Sequence, residues 1–380
     1  AGIYDPPRPD VALIECVEGS TVAAVFTKNR FSAAPVQLSK LHLADAMPRY
    51  FLINAGNANA GTGEAGLADA ELCCEFVARE TGVNSHEVLP FSTGVIGQRL
   101  PVDRFDKAMP ELVGALAEDG WEDAARAILT TDLVSKISSR QIQLHGETIT
   151  ISGICKGSGM IRPNMATMLA FIATDVKMDR DLLQASLQSA ADVSLNKVTV
   201  DGDTSTNDSC VLMATGESGV SVAQAGDLGA FDQALREVMI ELAQAIARDG
   251  EGATKFITVD VSGADSAPDA EAVAYTVAES PLVKIACFAS DPNWGRILAA
   301  VGRAPVSGLD IAAVSIWLND VQVIAAGEPA PDYTEEAGAK AMSATDIDIR
   351  IRLGDGPGAT RVWTCDYSYD YIRINAEYRS

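Results

Sequence analysis

The stretch Gln141–Ile154, QIQLHGETITISGI, decides which kind of sheet this chain builds. Apolar and polar side chains alternate on both sides of His145-Gly146, a dipeptide suited to a tight turn, so the stretch predicts a β-hairpin. A hairpin pairs its strands antiparallel, which argues against a purely parallel sheet. The next apolar run, Met168–Ala173, is uninterrupted and predicts a strand buried on both faces.

Strand-like and helix-like segments interleave along the rest of the chain. Further strands are predicted at Val22–Phe26, Tyr50–Asn54, Lys197–Val200, Cys210–Ala214, Phe256–Val261, Ala313–Leu318, Asp346–Leu353 and Arg361–Tyr367. Helices are predicted at Asp69–Glu80, Asp103–Glu118, Trp121–Leu129, Arg180–Val193, Leu228–Arg248, Asp269–Glu279 and Thr334–Ser343. The pattern predicts a layered α/β (α+β) fold with mixed sheets. The length of 380 residues without a flexible linker favours two closely packed subdomains.

The composition excludes several classes of partner. A net charge of −23 argues against nucleic acid and anionic membranes, because both need a cationic protein face. No apolar run is long enough to span a bilayer, and no signal peptide opens the chain. Seven cysteines without paired spacing predict reduced thiols. We therefore expect a cytoplasmic enzyme that acts on small molecules.

The histidines also limit the chemistry. Only His42, His86 and His145 are present, far apart in the sequence and in no ligand-like spacing. This argues against a zinc site and against a histidine-based catalytic triad, so we expect no metal. If the protein is an enzyme, its general base must be a group other than histidine.

Two weaker motifs have plain alternatives. Gly61–Gly66 matches GxGxxG, but the tract Asn54–Ala60 separates it from the preceding strand, which favours an ordinary loop over a dinucleotide site. Asp201–Asp208 begins like a calcium loop, yet Thr206 and Leu212 stand where an EF-hand needs Gly and Glu. That excludes an EF-hand and predicts a self-bonded turn, which could still brace a pocket.

Two other segments leave both a structural and a catalytic interpretation open. Ser92–Gly97 is either a simple turn after Val88–Phe91 or an oxyanion site, with the Thr93 hydroxyl and the Gly94 N–H facing developing charge. Residues 155–171 form a glycine-rich basic segment that leads into a buried strand, with the lone Thr167 at its start. From the residues alone, a threonine packed at a strand edge is the commoner outcome.

The run KGSGMIRPNMATML at 156–169 resembles the self-cleavage signature of the ornithine acetyltransferase (glutamate N-acetyltransferase) family. Other similar segments follow the family's order over nearly the whole chain: NAGNANAGTG (54–63), STGVIG (92–97), TTD (130–132), VDGDTSTND (200–208), RDGEGATK (248–255), DPNWGRI (291–297) and NAEYRS (375–380). Sequences of this family begin somewhat before the position that corresponds to Ala1, so we expect further residues upstream of Ala1.

The resemblance implies a four-layer α/β/β/α fold with the chemistry of N-terminal-nucleophile enzymes. The Thr167 hydroxyl attacks the Ala166 carbonyl, and an N-to-O acyl shift followed by hydrolysis cuts the chain. The products are an α segment, 1–166, and a β segment, 167–380, that act as one functional unit. The freed α-amino group has an ordinary pKa of about 7.7–8, so it can serve as the base for the adjacent hydroxyl. A nearby cation such as Lys156 lowers that pKa further.

The resemblance also implies the reaction and its residues. N-acetylornithine acetylates Thr167, ornithine leaves, and glutamate takes the acetyl group in a ping-pong cycle. Thr93 and Gly94 match the oxyanion hole, and the substrate-contacting positions are Thr130, Lys156, Thr167, Glu251, Asn375 and Ser380. Lys156 suits a substrate carboxylate, and Glu251 suits an ammonium group. No cofactor is implied, acetyl-CoA stays open as a second donor, and two cleaved α/β pairs are expected to associate into a heterotetramer.

Two alternatives to the transferase remain at this point. One is a related self-cleaving aminopeptidase or amidase that passes the acyl group to water. The other is a binding module that keeps the fold with an uncut chain. Cys155 stands where a small residue is expected, which predicts a packing role with a thiol near the site.

Overall fold

The computed structural model describes residues 1–4, 8–162, 168–223 and 225–377. The chain forms two compact units: the described residues of 1–196 and 203–246 make the first, and residues 197–202 with the chain from 247 onward make the second. The predicted cleavage segments, 1–166 and 167–380, do not coincide with these two units. That division stays a prediction, because its boundary lies outside the described residues.

The first unit contains two mixed sheets. Its elements are β1 Val11–Glu15, β2 Thr21–Phe26, α1 Ala34–Asp45, β3 Tyr50–Asn57, α2 Gly63–Thr81, β4 Val88–Val95, α3 Val102–Gly114, α4 Trp121–Ala127, β5 Lys136–Leu144, β6 Glu147–Lys156, β7 Leu169–Thr174, α5 Arg180–Val193, β8 Ser209–Ala214 and most of α6 Ala225–Arg248. One sheet has the order β1-β3-β4 and the other β2-β8-β7-β6-β5. The pairs β3/β4 and β7/β8 are parallel, and the remaining neighbours are antiparallel.

Alternation along β3 shows how the layers of this unit stack. Phe51 and Ile53 belong to the core between the two sheets, whereas Tyr50 and Leu52 belong to the core under α1, α2 and α3. Successive strand residues point to opposite faces, so one strand serves both cores. Helices α5 and α6 pack on the outer face of the other sheet. The first unit is therefore a four-layer α/β/β/α structure, which confirms the predicted fold class.

Three phenylalanines join the two sheets at the centre of this unit. Phe91 and Phe171 meet edge to face with ring centroids 5.1 Å apart, and Phe51 lies 6.0 Å from the first ring and 6.2 Å from the second. These separations are typical of favourable aromatic pairs. Each ring comes from a different strand, so the cluster fixes how the two sheets face each other.

The predicted hairpin is confirmed, with β5 and β6 pairing from Lys136–Cys155 to Leu144–Glu147. His145 and Gly146 have φ angles of +53° and +85°. Positive φ at both central residues matches the twist of a two-residue hairpin turn.

Two predicted segments differ from the structure. The strand expected at Lys197–Val200 is wrong: a short 3-10 helix, Leu195–Lys197, is followed by a single bridge between Val198 and Trp363. Only Thr199 N donates a backbone hydrogen bond to Trp363 O, at 2.9 Å, so the chain crosses the edge of β14 (Gly358–Cys365) without pairing along it.

Helix α2 begins at Gly63 rather than Asp69, so most of the presumed loop at Gly61–Gly66 is helical. Gly66 lies against the preceding turn, where a Cβ would be 1.8 Å from Thr62 Oγ1. Asn59 Nδ2 donates to the Gly66 carbonyl at 2.8 Å. Gly66 therefore serves close packing at a helix start.

The second unit has one mixed sheet of order β12-β11-β10-β13-β9-β14. Its elements are β9 Phe256–Ala264, α7 Ala267–Ala278, α8 Pro281–Phe288, α9 Trp294–Gly302, β10 Ser315–Leu318, β11 Val321–Ala325, β12 Glu328–Pro329, α10 Glu335–Met342, β13 Asp346–Arg352, β14 Gly358–Cys365 and α11 Tyr369–Glu377. Only β13 and β9 pair in parallel among its described strands. Along β13, isoleucines alternate with exposed charged residues, so one face of the sheet packs on the helices and the other meets solvent.

The seven cysteines all lie within the described residues, and all are free and buried. Burial raises the pKa of the Cys16, Cys73 and Cys287 thiols to about 12. Such thiols stay protonated and are poor nucleophiles. Among the residues that the structure describes, no helix combines the length and apolar character needed to cross a membrane.

Replacing Phe171 by alanine is expected to lower the free energy of unfolding by about 3–5 kcal/mol, because it leaves a cavity between the two sheets. Urea unfolding followed by circular dichroism measures the change. Phe31→Ala is the matched control, since Phe31 is 58% exposed and should cost about 0.5 kcal/mol. Equal losses for the two variants would contradict this account of the core.

Candidate functional site

The end of strand β4 carries Thr93 and Gly94. The strand runs to Val95, so the interpretation of Ser92–Gly97 as a simple turn is wrong. Gly94 pairs with Gly56 of β3 and has a φ of +130°. A Cβ on Gly94 would lie 2.3 Å from the carbonyl carbon of Gly56, so this close approach of two backbones requires glycine.

A buried amide braces this strand end. Asn207 Nδ2 donates to the carbonyl oxygens of Ala58, at 2.6 Å, and Ser92, at 2.9 Å. Ser92 Oγ in turn donates to Asn54 Oδ1 at 2.6 Å. Within the loop, Asn207 also accepts from the Thr206 hydroxyl at 2.6 Å. The loop is thus the self-bonded turn that the sequence predicts, and it supports the strand that carries Thr93.

Lys156 lies at the end of β6 and is only 8% exposed. Its Nζ donates to Thr130 Oγ1 at 2.8 Å and to Thr93 Oγ1 at 3.0 Å. An ammonium group can only donate, so both hydroxyl oxygens act as acceptors here. Each hydroxyl proton can then point toward another acceptor. The structure therefore brings together three residues that the sequence placed in one site.

Asp132 is a member of this cluster that we did not predict, although it ends the TTD motif. Its carboxylate accepts from Lys136 Nζ and from the Gly157 N–H, both at 2.7 Å, and from the Thr130 N–H at 3.1 Å. Asp132 is 8% exposed and Lys136 is 2% exposed. The carboxylate thus holds the backbone at Thr130 and at Gly157, which follows Lys156.

The charges of the cluster favour a bound anion. Burial alone would raise the pKa of Asp132, but the charges of Lys156 and Lys136 and the hydrogen bonds outweigh it and lower the pKa to about 2. Asp132 is therefore ionised at neutral pH. Lys136 forms the ion pair with Asp132, and Lys156 is the cation that contacts the two hydroxyls, inside a protein of net charge −23.

Ala166, Thr167 and Ser380 lie outside the described residues, as does the predicted cleavage bond. The chain on the C-terminal side of that bond is well anchored. Met168 O accepts from Ser209 N at 3.0 Å, and Leu169 pairs with Lys156 in the β6/β7 ladder. Thr167 is two positions before Leu169, so the lysine lies beside the strand that this threonine leads into.

Cys155 faces away from Lys156. Its Sγ lies 3.8 Å from Leu242 O of α6, and its side chain is fully buried. Adjacent residues in a strand point to opposite faces. The predicted packing role is confirmed, and the thiol lies on the α6 face of the sheet rather than on the face of Lys156.

The second unit holds Glu251 and Asn375, and the structure brings these two together. Glu251 is 5% exposed, and its Oε2 accepts from Asn375 Nδ2 at 2.7 Å. The next residue, Gly252, has a φ of +68°, and a Cβ there would lie 2.5 Å from Tyr371 N at the start of α11. Ser368 Oγ donates to Gly252 O at 2.6 Å. The RDGEGATK loop is thus fixed against the helix that carries Asn375.

Comparison with known proteins identifies the family. The ArgJ family model matches residues 1–380, so this chain belongs to the ArgJ family. An arginine biosynthesis bifunctional protein ArgJ from Methylococcus capsulatus is 55% identical over 382 aligned residues, which cover 100% of this chain and 93% of that protein.

Two solved structures are also similar. The arginine biosynthesis bifunctional protein ArgJ of Bacillus halodurans is 39% identical, has a TM-score of 0.54, and is matched over 56% of this chain and 100% of its own. An ornithine acetyltransferase from Mycobacterium tuberculosis, complexed with ornithine, is 32% identical over 43% of this chain and 88% of its own, with a TM-score of 0.36.

The family match confirms the resemblance found in the sequence. The chain is an enzyme, an acetyltransferase of arginine biosynthesis. Since the family model covers the whole chain, the alternative of a hydrolytic aminopeptidase is not favoured.

Replacing Asp132 by asparagine is expected to lower the free energy of unfolding by about 3–5 kcal/mol at pH 7, because the buried Lys136 loses its counter-charge. The pKa of Asp132 in the folded state, about 2, is below its ordinary value of 3.8. Its contribution is therefore full above about pH 4 and is lost as the pH falls through about 2. The urea concentration at the midpoint of unfolding is measured for wild type and variant at pH 7 and pH 3. The difference between the two proteins should be smaller at pH 3. Asp119→Asn, at an exposed site, is the control and should change neither midpoint.

Proposed function

We propose that this enzyme cuts itself between Ala166 and Thr167 and then transfers the acetyl group of N-acetylornithine to glutamate through an acetyl-Thr167 intermediate. The observation that carries the proposal is the buried Lys156 ammonium, which holds the hydroxyls of Thr93 and Thr130 at 3.0 and 2.8 Å beside the start of β7. The run KGSGMIRPNMATML, which contains both Lys156 and Thr167, supports it from the sequence.

The cleavage step follows from the position of the hydroxyl. Thr167 Oγ1 adds to the Ala166 carbonyl carbon, the C–N bond breaks, and the acyl group moves to oxygen as an ester. Water then hydrolyses the ester, which frees the Ala166 carboxylate and the Thr167 amine. Only Ser, Thr and Cys carry a nucleophile on the β-carbon next to the amide nitrogen. The residue that follows Ala166 is Thr167, so the resemblance implies its hydroxyl as the nucleophile of this step.

The transfer step uses the same two atoms of Thr167. The neutral α-amine takes the hydroxyl proton as Oγ1 attacks the acetyl carbonyl, and the proton passes to the ornithine amine as it leaves. The glutamate amine then attacks the acetyl ester and releases the threonine hydroxyl. A positively charged cluster near the amine lowers its pKa and raises the fraction that is neutral at pH 7.

Thr93 and Gly94 suit the oxyanion hole in this scheme. Lys156 donates to Thr93 Oγ1, which leaves the Thr93 hydroxyl proton to donate to the tetrahedral oxygen. The close backbone approach at Gly94 fixes the position of its N–H. One such donor typically contributes a factor of about 10²–10³ to the rate.

Substrate recognition is proposed from the same residues. Lys156 attracts a substrate carboxylate, with Thr130 beside it as a hydroxyl partner. Glu251 suits the substrate ammonium group, and its hydrogen bond from Asn375 holds the carboxylate in place. Thr167 and Ser380 complete the contacts that the resemblance implies.

Further aspects of the function rest on the family resemblance. We infer that the enzyme needs no cofactor and that two cleaved α/β pairs associate in the cytoplasm as a heterotetramer. Acetyl-CoA stays open as a second donor, and an assay of glutamate acetylation without N-acetylornithine tests it. The two chain segments, 1–166 and 167–380, would then share one active unit.

Thr167→Ala is expected to abolish both cleavage and acetyl transfer, whereas Thr167→Ser should retain part of each. Intact mass spectrometry of the purified protein measures the cleavage, since two fragments that meet at Ala166/Thr167 identify the bond. Thr148→Ala, at an exposed position in the β5/β6 hairpin, is the control and should be cut normally. A wild-type chain that stays at full length after prolonged incubation would refute the mechanism.

Release of ornithine from N-acetylornithine is expected to continue only when glutamate is present, because the acetyl-enzyme needs an acceptor. Ornithine and N-acetylglutamate should then form in equal amounts, as measured by liquid chromatography and mass spectrometry. If free acetate accumulates at the same rate with and without glutamate, the enzyme is a hydrolase and the transferase proposal fails.

A further inference from the structure

The fold brings together two histidines that are far apart in the sequence. His42 on α1 and His86 in the 3-10 turn Ser85–Glu87 stack with ring centroids 4.8 Å apart, and Glu71 on α2 lies beside them. His42 Nε2 is 3.2 Å from Glu71 Oε2. One possible ligand atom from each of the three residues lies within 4.8 Å of the others. The spacing of these histidines in the sequence gave no sign of this proximity.

Hydrogen bonds decide which nitrogen of each ring carries a proton. His42 Nδ1 lies 2.8 Å from the carbonyl oxygen of Val88, which can only accept, so this nitrogen is protonated. His86 Nδ1 lies 2.5 Å from a carboxylate oxygen of Asp45 and is protonated for the same reason. Both rings therefore have Nε2 left as the nitrogen that can bind a cation.

This arrangement needs a positive charge next to Glu71. With Nδ1 protonated, a neutral His42 would face the carboxylate with the lone pair of Nε2, which is repulsive at 3.2 Å. Either a second proton or a metal ion removes that repulsion. A second proton on His42 would pair with Glu71 alone, whereas one divalent cation bound by the ring nitrogens would satisfy Glu71 and both histidines.

The surroundings are those of a metal site. Histidine ligands usually donate their other N–H to a backbone carbonyl or a carboxylate, and here His42 does the first and His86 the second. Two histidines and one glutamate are a known zinc ligand set, with water in the fourth position. His86 has 54% of its side chain exposed, so solvent can reach the ion.

We propose that His42, Glu71 and His86 bind a divalent transition-metal ion such as Zn²⁺, with Asp45 and the Val88 carbonyl orienting the two imidazoles. The exposed side chain of His86 and the partly exposed side chain of Glu71 move inward to bring ligand atoms that now lie within 4.8 Å of one another to bonding distance. The ion ties α1 and α2 to the 3-10 turn that precedes β4. Thr93 lies five residues further along that strand, roughly 16 Å away, so this site is separate from the acetyl-transfer residues.

Equilibrium dialysis of the full chain, first stripped with EDTA and then exposed to micromolar Zn²⁺, tests the proposal. We expect one zinc ion per chain by elemental mass spectrometry, and an affinity at least about tenfold lower in His86→Ala and in Glu71→Gln. Asp45→Asn should weaken binding less than either. His145→Ala is the matched control: His145 has 55% of its side chain exposed and lies 2.9 Å from Asp227, yet it is not part of the site.

Cobalt provides a second measurement. Co²⁺ added to the stripped wild-type chain should give visible absorption bands of nitrogen and oxygen coordination, without a thiolate charge-transfer band, since the thiols are buried. Circular dichroism and acetyl transfer by His86→Ala should match wild type and show that the variant is folded. The proposal is overturned if the wild-type chain binds no zinc under these conditions, or if His145→Ala loses as much binding as His86→Ala.

Discussion

The buried ion cluster around Asp132 is the interaction on which the active end of the first unit depends. The carboxylate binds Lys136, the Gly157 N–H and the Thr130 N–H, while Lys156 lies close enough to lower its pKa. A buried lysine keeps its charge only when a counter-charge and hydrogen bonds offset its lost hydration. The cluster therefore preserves the charge of Lys156, the cation that holds Thr93 and Thr130.

Much of the fold could be predicted because its elements have regular periods. The alternation around His145-Gly146 identified the β5/β6 hairpin, and the helical period identified α5 at Arg180–Val193 with both ends correct. That hairpin also predicted mixed sheets rather than a purely parallel one. Shorter elements such as α8 Pro281–Phe288 and α9 Trp294–Gly302 were missed, because eight or nine mostly apolar residues show no clear period.

The predictions that were wrong or missing concern features that depend on contacts between residues distant in sequence. Lys197–Val200 has the composition of a strand, but it meets β14 at a single bridge. Asp132 depends on partners from β5 and from the residue after β6, and His42 meets His86 only because α1 and α2 cover the same sheet. For the site, the motifs located Lys156, Thr93 and Thr130 correctly as neighbours. They gave no sign of Asp132, although it lies in a segment that the resemblance had already marked. The turn that contains Asn207 was expected to be able to brace a pocket, but its sequence did not show which strand it supports.

The β6/β7 ladder has a mechanical consequence for a chain that is cut. Its pairs run from Ile151–Thr174 to Lys156–Leu169, so the ladder is complete without any residue between 157 and 168. A break at Ala166/Thr167 would remove no hydrogen bond from it, and β7 would stay held between β6 and β8. The two segments should then remain together without a covalent link. The same arrangement favours fragment complementation, in which 1–166 and 167–380 made from separate messages assemble on the shared sheet.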